Sequence, residues 1–302
     1  MKKMLFLVNP CAGQKKAKRY LADMIDLFNR AGYAVWTHMT AQPGEGENVV
    51  NEFAHRVDMI VACGGDGTFN ETIAGVMKSG LDVPIGYIPA GSTNDYAASL
   101  HLSANIMKAT RDILEGKADK LDVGMFGERY YSYVASFGAF TKASYATPQN
   151  AKNLLGHMAY VLSGMQELTQ IRSHHLRFEL PEGEIIEDDF IFGAISNSLS
   201  VGGILTLAED RVDLTDGKLE LLLIRTPKNL QELTECVLAL QKKTYDSSIL
   251  TFRSVPWVNI TAPADMEWTL DGEREDPHET VEVKCIRQAV NVVRNLDMGE
   301  VP

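Results

Sequence analysis

The residues best suited to chemistry lie in three short strings. The first is Gly64-Gly65-Asp66-Gly67-Thr68, with Asn70-Glu71 close behind. Three glycines in four positions give a backbone that can approach a ligand closely. They follow the apolar run from Met59 to Cys63, which reads as a buried parallel strand. They precede Ile73, Val76 and Met77 at helical spacing, with Thr68 as a cap. A strand that passes through glycines into a helix N-terminus aims free N–H groups and the helix dipole at one spot, a ready site for phosphate. Asp66 is then the natural anchor for Mg²⁺, which prefers carboxylate and water oxygens. Asn70, Glu71, Asp95 and Asp122 are candidates to orient the water shell or a ribose. The spacing fits neither a P-loop nor the dinucleotide fingerprint, and an ordinary tight turn is the plainer alternative.

The second string, Pro89-Ala90-Gly91-Ser92-Thr93-Asn94-Asp95, again carries glycine and hydroxyls from a strand end into a helix. Two such loops on one sheet edge favour a nucleotide more than either alone, because open parallel sheets bind ligands at their carboxyl ends. The third string is Asp271-Gly272-Glu273. If it is extended, both carboxylates project to the same side, and one can accept a proton from an attacking hydroxyl. Asp-Gly is also the commonest kind of hairpin turn. The Asp213-to-Lys218 stretch is a further Asp-Gly turn, either only a turn or a hard-oxygen Mg²⁺ site built from Asp216 and backbone oxygens near Asp213 and Lys218. Lys15 or Lys16 could offset phosphate charge. His174-His175 point to opposite faces of a strand and suit no metal.

The elements that must position these strings alternate between strand and helix as far as Gly124. Met4–Val8, Tyr33–Met39, Met59–Cys63 and Val83–Ile88 read as strands, with helices over Ala17–Arg30, Val49–Arg56 and Ile106–Leu114. Beyond Met125 most segments read as strands separated by Gly, Pro or Asp turns, with helices only over Lys152–Ile171 and Leu230–Gln241. The expectation is a nucleotide-binding α/β domain with a parallel sheet over 1–124, then a mainly antiparallel β-sandwich over 125–288 that takes the substrate. The tail 289–302 either adds a strand there or returns to the first domain.

Composition sets limits. The 302 residues are 45% hydrophobic and 23% charged, ordinary for a globular chain. A formal charge of −11 argues against nucleic acid and gives no general attraction to an anionic membrane. The four cysteines, Cys11, Cys63, Cys236 and Cys285, are scattered, which suits reduced thiols and a cytoplasmic setting. No run approaches the roughly 18 apolar residues that span a bilayer.

The strings together resemble the diacylglycerol kinase catalytic domain. Gly64-Gly65-Asp66-Gly67-Thr68 with Asn70-Glu71 is similar to its nucleotide signature, which also occurs in NAD kinases and phosphofructokinases. Asn9-Pro10-Cys11-Ala12-Gly13 resembles the family's Asn-Pro-x-Ser-Gly, with Ala12 in place of the serine. Thr40, before a Pro-Gly loop, matches a nucleotide-contacting position. Pro89-x-Gly91-Ser92-Thr93-Asn94-Asp95 resembles Pro-x-Gly-Thr-x-Asn-Asp, and Leu121-Asp122-Val123-Gly124 resembles Val-Asp-x-Gly. Asp216-Gly217-Lys218-Leu219 is similar to a turn that holds structural magnesium in bacterial soluble members. Asp271-Gly272-Glu273 resembles the motif that carries their proposed base. Tyr145-x-Thr147-Pro148 and the 156–164 helix share the likeness. The resemblance implies an NAD-kinase/phosphofructokinase-like first domain and an ATP- and Mg²⁺-dependent kinase. That kinase would phosphorylate a lipid hydroxyl, with nucleotide and metal between the domains, acting as a peripheral enzyme at a membrane surface and as a homodimer if sheet edges pair. The alternatives are an NAD kinase or a nucleotide-binding module without catalysis.

Overall fold

The computed structural model describes residues 1–138, 173–201, 205–242, 244–245 and 247–295. The expected helix over Lys152–Ile171 and the 145–148 string lie outside the described residues. The chain forms two compact units, Met1–Leu121 with Gln288 onward, and Asp122–Arg287.

In the first unit the strands are β1 (Lys2–Val8), β2 (Tyr33–Met39), β3 (Met59–Gly64) and β4 (Ile85–Pro89), and the end of a long late strand (Thr280–Arg294) joins them. The order is β2-β1-β3-β4-late strand, and every pairing is parallel. So the tail is a strand as far as Arg294, and from Gln288 this strand packs with the first unit. Helices α1 (Lys16–Arg30), α2 (Glu45–Phe53), α3 (Asp66–Ser79), α4 (Asp95–Ser99) and α5 (Ile106–Glu115) alternate with the strands. The sheet is apolar on both faces. Phe6 meets Phe28 of α1 edge-on at 5.5 Å, and Tyr87 stacks on Phe69 of α3 at 4.3 Å. Each such pair adds roughly 0.5–1.5 kcal/mol beyond its burial. The register matters most for the site. Val8 pairs with Met39 and Cys63, and Gly64 pairs with Pro89. The strands therefore end level, and the loops opening at Asn9, Thr40, Gly65 and Ala90 leave from one edge.

The second unit is antiparallel. β5 (Lys117–Phe126) forms a hairpin with β6 (Arg129–Tyr131). β7 (Val134–Gly138), β8 (His174–Glu179) and β9 (Ile185–Ser196) follow, with a small ribbon of β10 (Ser200–Val201) and β11 (Leu205–Thr206). β12 (Leu219–Arg225), α6 (Leu230–Lys242), β13 (Leu250–Val255), β14 (Trp257–Thr261), β15 (Trp268–Leu270), β16 (Glu273–Glu275) and β17, the Thr280–Arg294 strand, complete it. Hydrogen bonds run continuously in the order β16-β15-β7-β9-β8-β14-β17. β9 also pairs with β12, and β12 with β13. The alternation of buried and exposed residues in Val281-Glu282-Val283 is what one solvated face requires. The core centres on Trp268, which touches Phe126 and Phe137 at ring distances of 4.9 and 5.1 Å. Gly124 and Gly193 lie where a Cβ would strike the rings of Tyr131 and Phe137, at 2.2 and 2.1 Å. They let those aromatics lie flat on the backbone.

Candidate active site

Three loops of the first unit touch at the level strand ends. Gly13 has φ +47°, and a Cβ there would meet the carbonyl oxygen of Ala90 at 2.0 Å. A Cβ on Gly91 would lie 2.6 Å from Cα of Gly65. Only glycine permits these approaches. The amide of Ala90 donates to the Gly64 carbonyl at 2.7 Å, and Asn9 Nδ2 donates to Thr68 Oγ1 at 3.3 Å. Asn9 Oδ1 accepts from the Cys11 amide at 2.9 Å, and Thr40 is tied at its amide to the Val8 carbonyl at 3.0 Å. Asn94, itself at φ +54°, fixes the last loop by a paired bond to Gly91, accepting its N–H at 2.8 Å and donating to its carbonyl at 3.1 Å. Ser92 and Thr93 are exposed at the tip.

The helix after the glycines begins earlier than the periodicity suggested. α3 starts at Asp66 with Gly65 as its cap residue, and Thr68 does not cap it. None of Gly64, Gly65 and Gly67 needs positive φ. Their value is space: a Cβ on Gly64 would collide with Thr68 Oγ1 at 2.3 Å, and Gly67 faces open space. The amides of Gly65, Gly67 and Thr68 have no acceptor among the described residues. These are the orphan donors of a helix start, and they favour an anion.

The acids of this edge are spent on its shape. Asp66, buried, accepts the amides of Asp95 and Tyr96 at 2.9 and 3.2 Å and the Tyr87 hydroxyl at 3.4 Å. It thereby joins the first turn of α4 to that of α3. Glu71 accepts the amides of Gly44 and Gly46 at 2.8 Å each, so it caps α2 and latches the loop after Thr40. Asn70 is also buried, and its Oδ1 has no hydrogen-bond partner among the described residues.

In the second unit Asp271 and Gly272 form the two-residue turn of the β15–β16 hairpin, at φ +50° and +85°. Positive φ at both places is what the favoured hairpin turn needs. The segment is thus not extended through Asp271, and its two acids have separate fates. Asp271 is buried and accepts four hydrogen bonds: from the amide and hydroxyl of Ser132 at 2.6 and 2.7 Å, and from the amides of Tyr133 and Val134 at 3.0 and 2.9 Å. Burial raises its carboxyl above the ordinary value, opposed by those donors. Glu273 is half exposed. Its Oε2 meets Arg129 at 2.5 Å, and its Oε1 has no partner among the described residues.

The 213–218 turn is folded onto Asp122, which is fully buried. The Asp122 amide donates to the Leu214 carbonyl at 2.8 Å, and its Oδ2 accepts the Gly217 amide at 2.6 Å. Asp213 accepts from Thr215, and Asp216 accepts the Lys218 amide at 2.9 Å. Among the described residues no three acid, histidine or cysteine side chains close on one point. A cation here would rely on backbone oxygens beside one carboxylate, a hard-oxygen set that suits Mg²⁺. One further acid belongs to this cluster. Glu220, on β12, is fully buried, and neither of its oxygens has a hydrogen-bond partner among the described residues. Burial, then the neighbouring Asp216, pushes its pKa up to about 8.

Comparison with known proteins decides the family. The diacylglycerol kinase catalytic domain matches residues 3–126. The diacylglycerol kinase of Bacillus subtilis (strain 168) is 30% identical over 275 residues, covering 90% of each chain. That of Staphylococcus aureus (strain MRSA252) is 30% identical over 274 residues, 90% of this chain and 86% of that one. The chain belongs to the diacylglycerol kinase family. A diacylglycerol kinase structure from Bacillus anthracis str. Sterne has a TM-score of 0.76 at 20% identity over 98% of both chains, which shows a shared fold. As a member, the protein is a lipid kinase, a phosphotransferase that draws on ATP, and the NAD kinase reading falls away.

Several residues that shape this kinase's sites escape a reading by motif. Tyr87 reaches Asp66 from inside the sheet, and Ser132 reaches Asp271 across 139 positions of sequence. Arg129 and Glu220 sit in strands that advertise only β structure. An acid at a core-facing register position is the signal that marks Glu220, because it pairs with Ser196 and Ser254 between leucines.

Proposed function

We propose that this chain transfers the γ-phosphoryl group of ATP to the free hydroxyl of diacylglycerol or a related lipid. Family membership and the meeting of three glycine loops at one sheet edge support the reading. In it, Asn9, Pro10, Cys11, Ala12 and Gly13, Thr40, Gly64 to Thr68, and Ser92 to Asp95 hold the nucleotide, chiefly through backbone amides. Asp66 and Glu71 keep those loops in place, and Asn70 lies beside them as a further candidate contact to the nucleotide. ATP supplies the phosphoryl group, and Mg²⁺ offsets its charge, with the Asp213, Asp216 and Lys218 turn as a second, structural cation site. The 1–124 domain serves nucleotide, and the 125–288 domain serves lipid.

Glu273 is the proposed base. A base must offer an oxygen to the proton it takes, and Glu273 has one while both Asp271 oxygens are committed to the 132–134 turn. Asp271 is then the part that sets the hairpin. Among the described residues no helix is long and apolar enough to cross a membrane. In this reading the lipid is met at the membrane surface by a peripheral protein in the cytoplasm, through a local patch, with a homodimer as the expected assembly.

The test is a panel of dispersed diacylglycerol, phosphatidylglycerol, a sphingoid base and a polyprenol with radiolabelled ATP and Mg²⁺, read by thin-layer chromatography. Label in phosphatidic acid is expected. ATP binding with no labelled lipid would leave the non-catalytic nucleotide module as the better account.

A further inference from the structure

Arg129, the first residue of β6, forks its guanidinium between two carboxylates of β16. Nη2 donates to Glu273 Oε2 at 2.5 Å, and Nη1 donates to Glu275 Oε2 at 2.7 Å. Glu273 and Glu275 are two apart on one strand, so they project to the same side and one planar group can meet both. Glu275 is the better buried of the two and is held again by His278, whose Nε2 lies 3.3 Å from its Oε1. Burial works against the charge on Arg129, and its bonds to Glu275 and Glu273 more than offset that. The order of attachment is therefore His278, Glu275, Arg129, Glu273, with Glu275 the most packed member and Glu273 the most open.

Stability does not account for this arrangement, since part-exposed ion pairs contribute only about 0–1 kcal/mol. What the arrangement does is restrict Glu273. A glutamate has three side-chain torsions, and general-base catalysis needs the acceptor oxygen within hydrogen-bond reach of the proton. Holding Oε2 on a braced guanidinium leaves Oε1 alone to face outward in a defined place.

We propose that Arg129 is a positioning residue for phosphoryl transfer, holding Glu273 by one oxygen so that the other receives the proton of the acceptor hydroxyl. This rests on the reading of Glu273 as base. The experiment is steady-state lipid phosphorylation by the full chain carrying Arg129→Met, Arg129→Lys, Glu273→Gln and the double change R129M/E273Q, with melting curves on each. R129M is expected to lose kcat by about 10²-fold, the scale that a 1 Å misplacement costs. Its KM for ATP stays unchanged. R129K, which keeps charge but not the fork, loses less. In the E273Q background R129M adds no further loss, because an aid to a missing base has nothing to aid.

A native kcat in R129M, beside a crippled E273Q, overturns the inference and leaves the base reading standing. A full additional loss in the double variant overturns it too. A native rate for E273Q alone overturns the base reading, and the role of Arg129 falls with it. Should R129M fail to melt cooperatively, Glu275→Gln and R129K carry the test. E275Q, which removes the brace, is expected to lose roughly tenfold, the low end of what removing an outer hydrogen-bond partner costs. Native rates in both overturn the inference.

Discussion

At the parallel edge of the first unit, Asp66 and Glu71 lie next to glycines and point their carboxylates at main-chain amides of other loops. At the β15–β16 hairpin of the second, Asp271 does the same to residues 132–134, but Glu273 two positions on keeps an oxygen open beside Arg129. The two regions share a vocabulary of acid and glycine, and they divide the labour differently. The first makes a surface of bare amides, with its acids turned inward as fasteners. The second spends one acid as a fastener and leaves the next with one oxygen that no described residue meets. An acid in a signature string is thus not by itself a ligand or a base. Its hydrogen-bond count decides which it can be, because a carboxylate has only about four lone-pair sites.

If the first region works through its backbone, it should be most sensitive to a single added carbon. Gly13→Ala places a Cβ against the Ala90 carbonyl at a φ of +47°. The strained conformation alone costs about 1–3 kcal/mol, and displacing the neighbouring loop by an ångström can cost about 10²-fold in function. ATP affinity measured by calorimetry should fall by that order with the second unit's folding unaffected. Unchanged affinity would contradict a backbone-built site.

The second region offers a sharper contrast in Glu220, an acid with no fastener role. Its folded pKa of about 8 lies above the ordinary 4.5, so the folded protein holds a proton that the unfolded chain releases. The stability this confers is complete below about 4.5 and is lost as pH rises to about 8, on the order of a few kcal/mol. Urea denaturation in chelator across that range should show the decline, and Glu220→Gln should remove it. A slope of the same size in the variant would mean that another group is responsible.

The smallest effect is expected at Glu71. Glu71→Gln keeps the shape but can offer only one acceptor oxygen to the two amides it now serves. Losing one such bond costs roughly 1–3 kcal/mol at most. KM for ATP should rise several-fold with kcat unchanged. A fall in kcat at constant KM would instead make Glu71 a direct participant.

Much of this was legible in the chain. The strand–helix alternation before Gly124 and the strand-rich remainder follow from periodicity, which local side chains set. The glycine strings marked the edge where the loops meet because close approach leaves no other residue choice at Gly13 and Gly91. What the sequence could not reveal was where each carboxylate would turn. Asp271 and Ser132 are distant in sequence, and their meeting depends on β15 pairing with β7, a register that no local pattern states. The start of α3 at Asp66 rather than beyond Thr68 had the same origin: Gly65 is held by contact with the 89–95 loop, a tertiary constraint.

The comparison of the two acids at 271 and 273 is tested most directly by measuring kcat for diacylglycerol phosphorylation in Glu273→Gln and Asp271→Asn, each at a temperature where its melting curve shows it folded. E273Q is expected to melt like the native protein and to lose roughly 10²–10⁴ in kcat, the worth of a general base. D271N is expected to melt lower, by about 1–3 kcal/mol of stability for an unmatched buried donor, and to keep most of its kcat while folded. An E273Q protein at full rate, with a folded D271N protein inactive, would contradict the account.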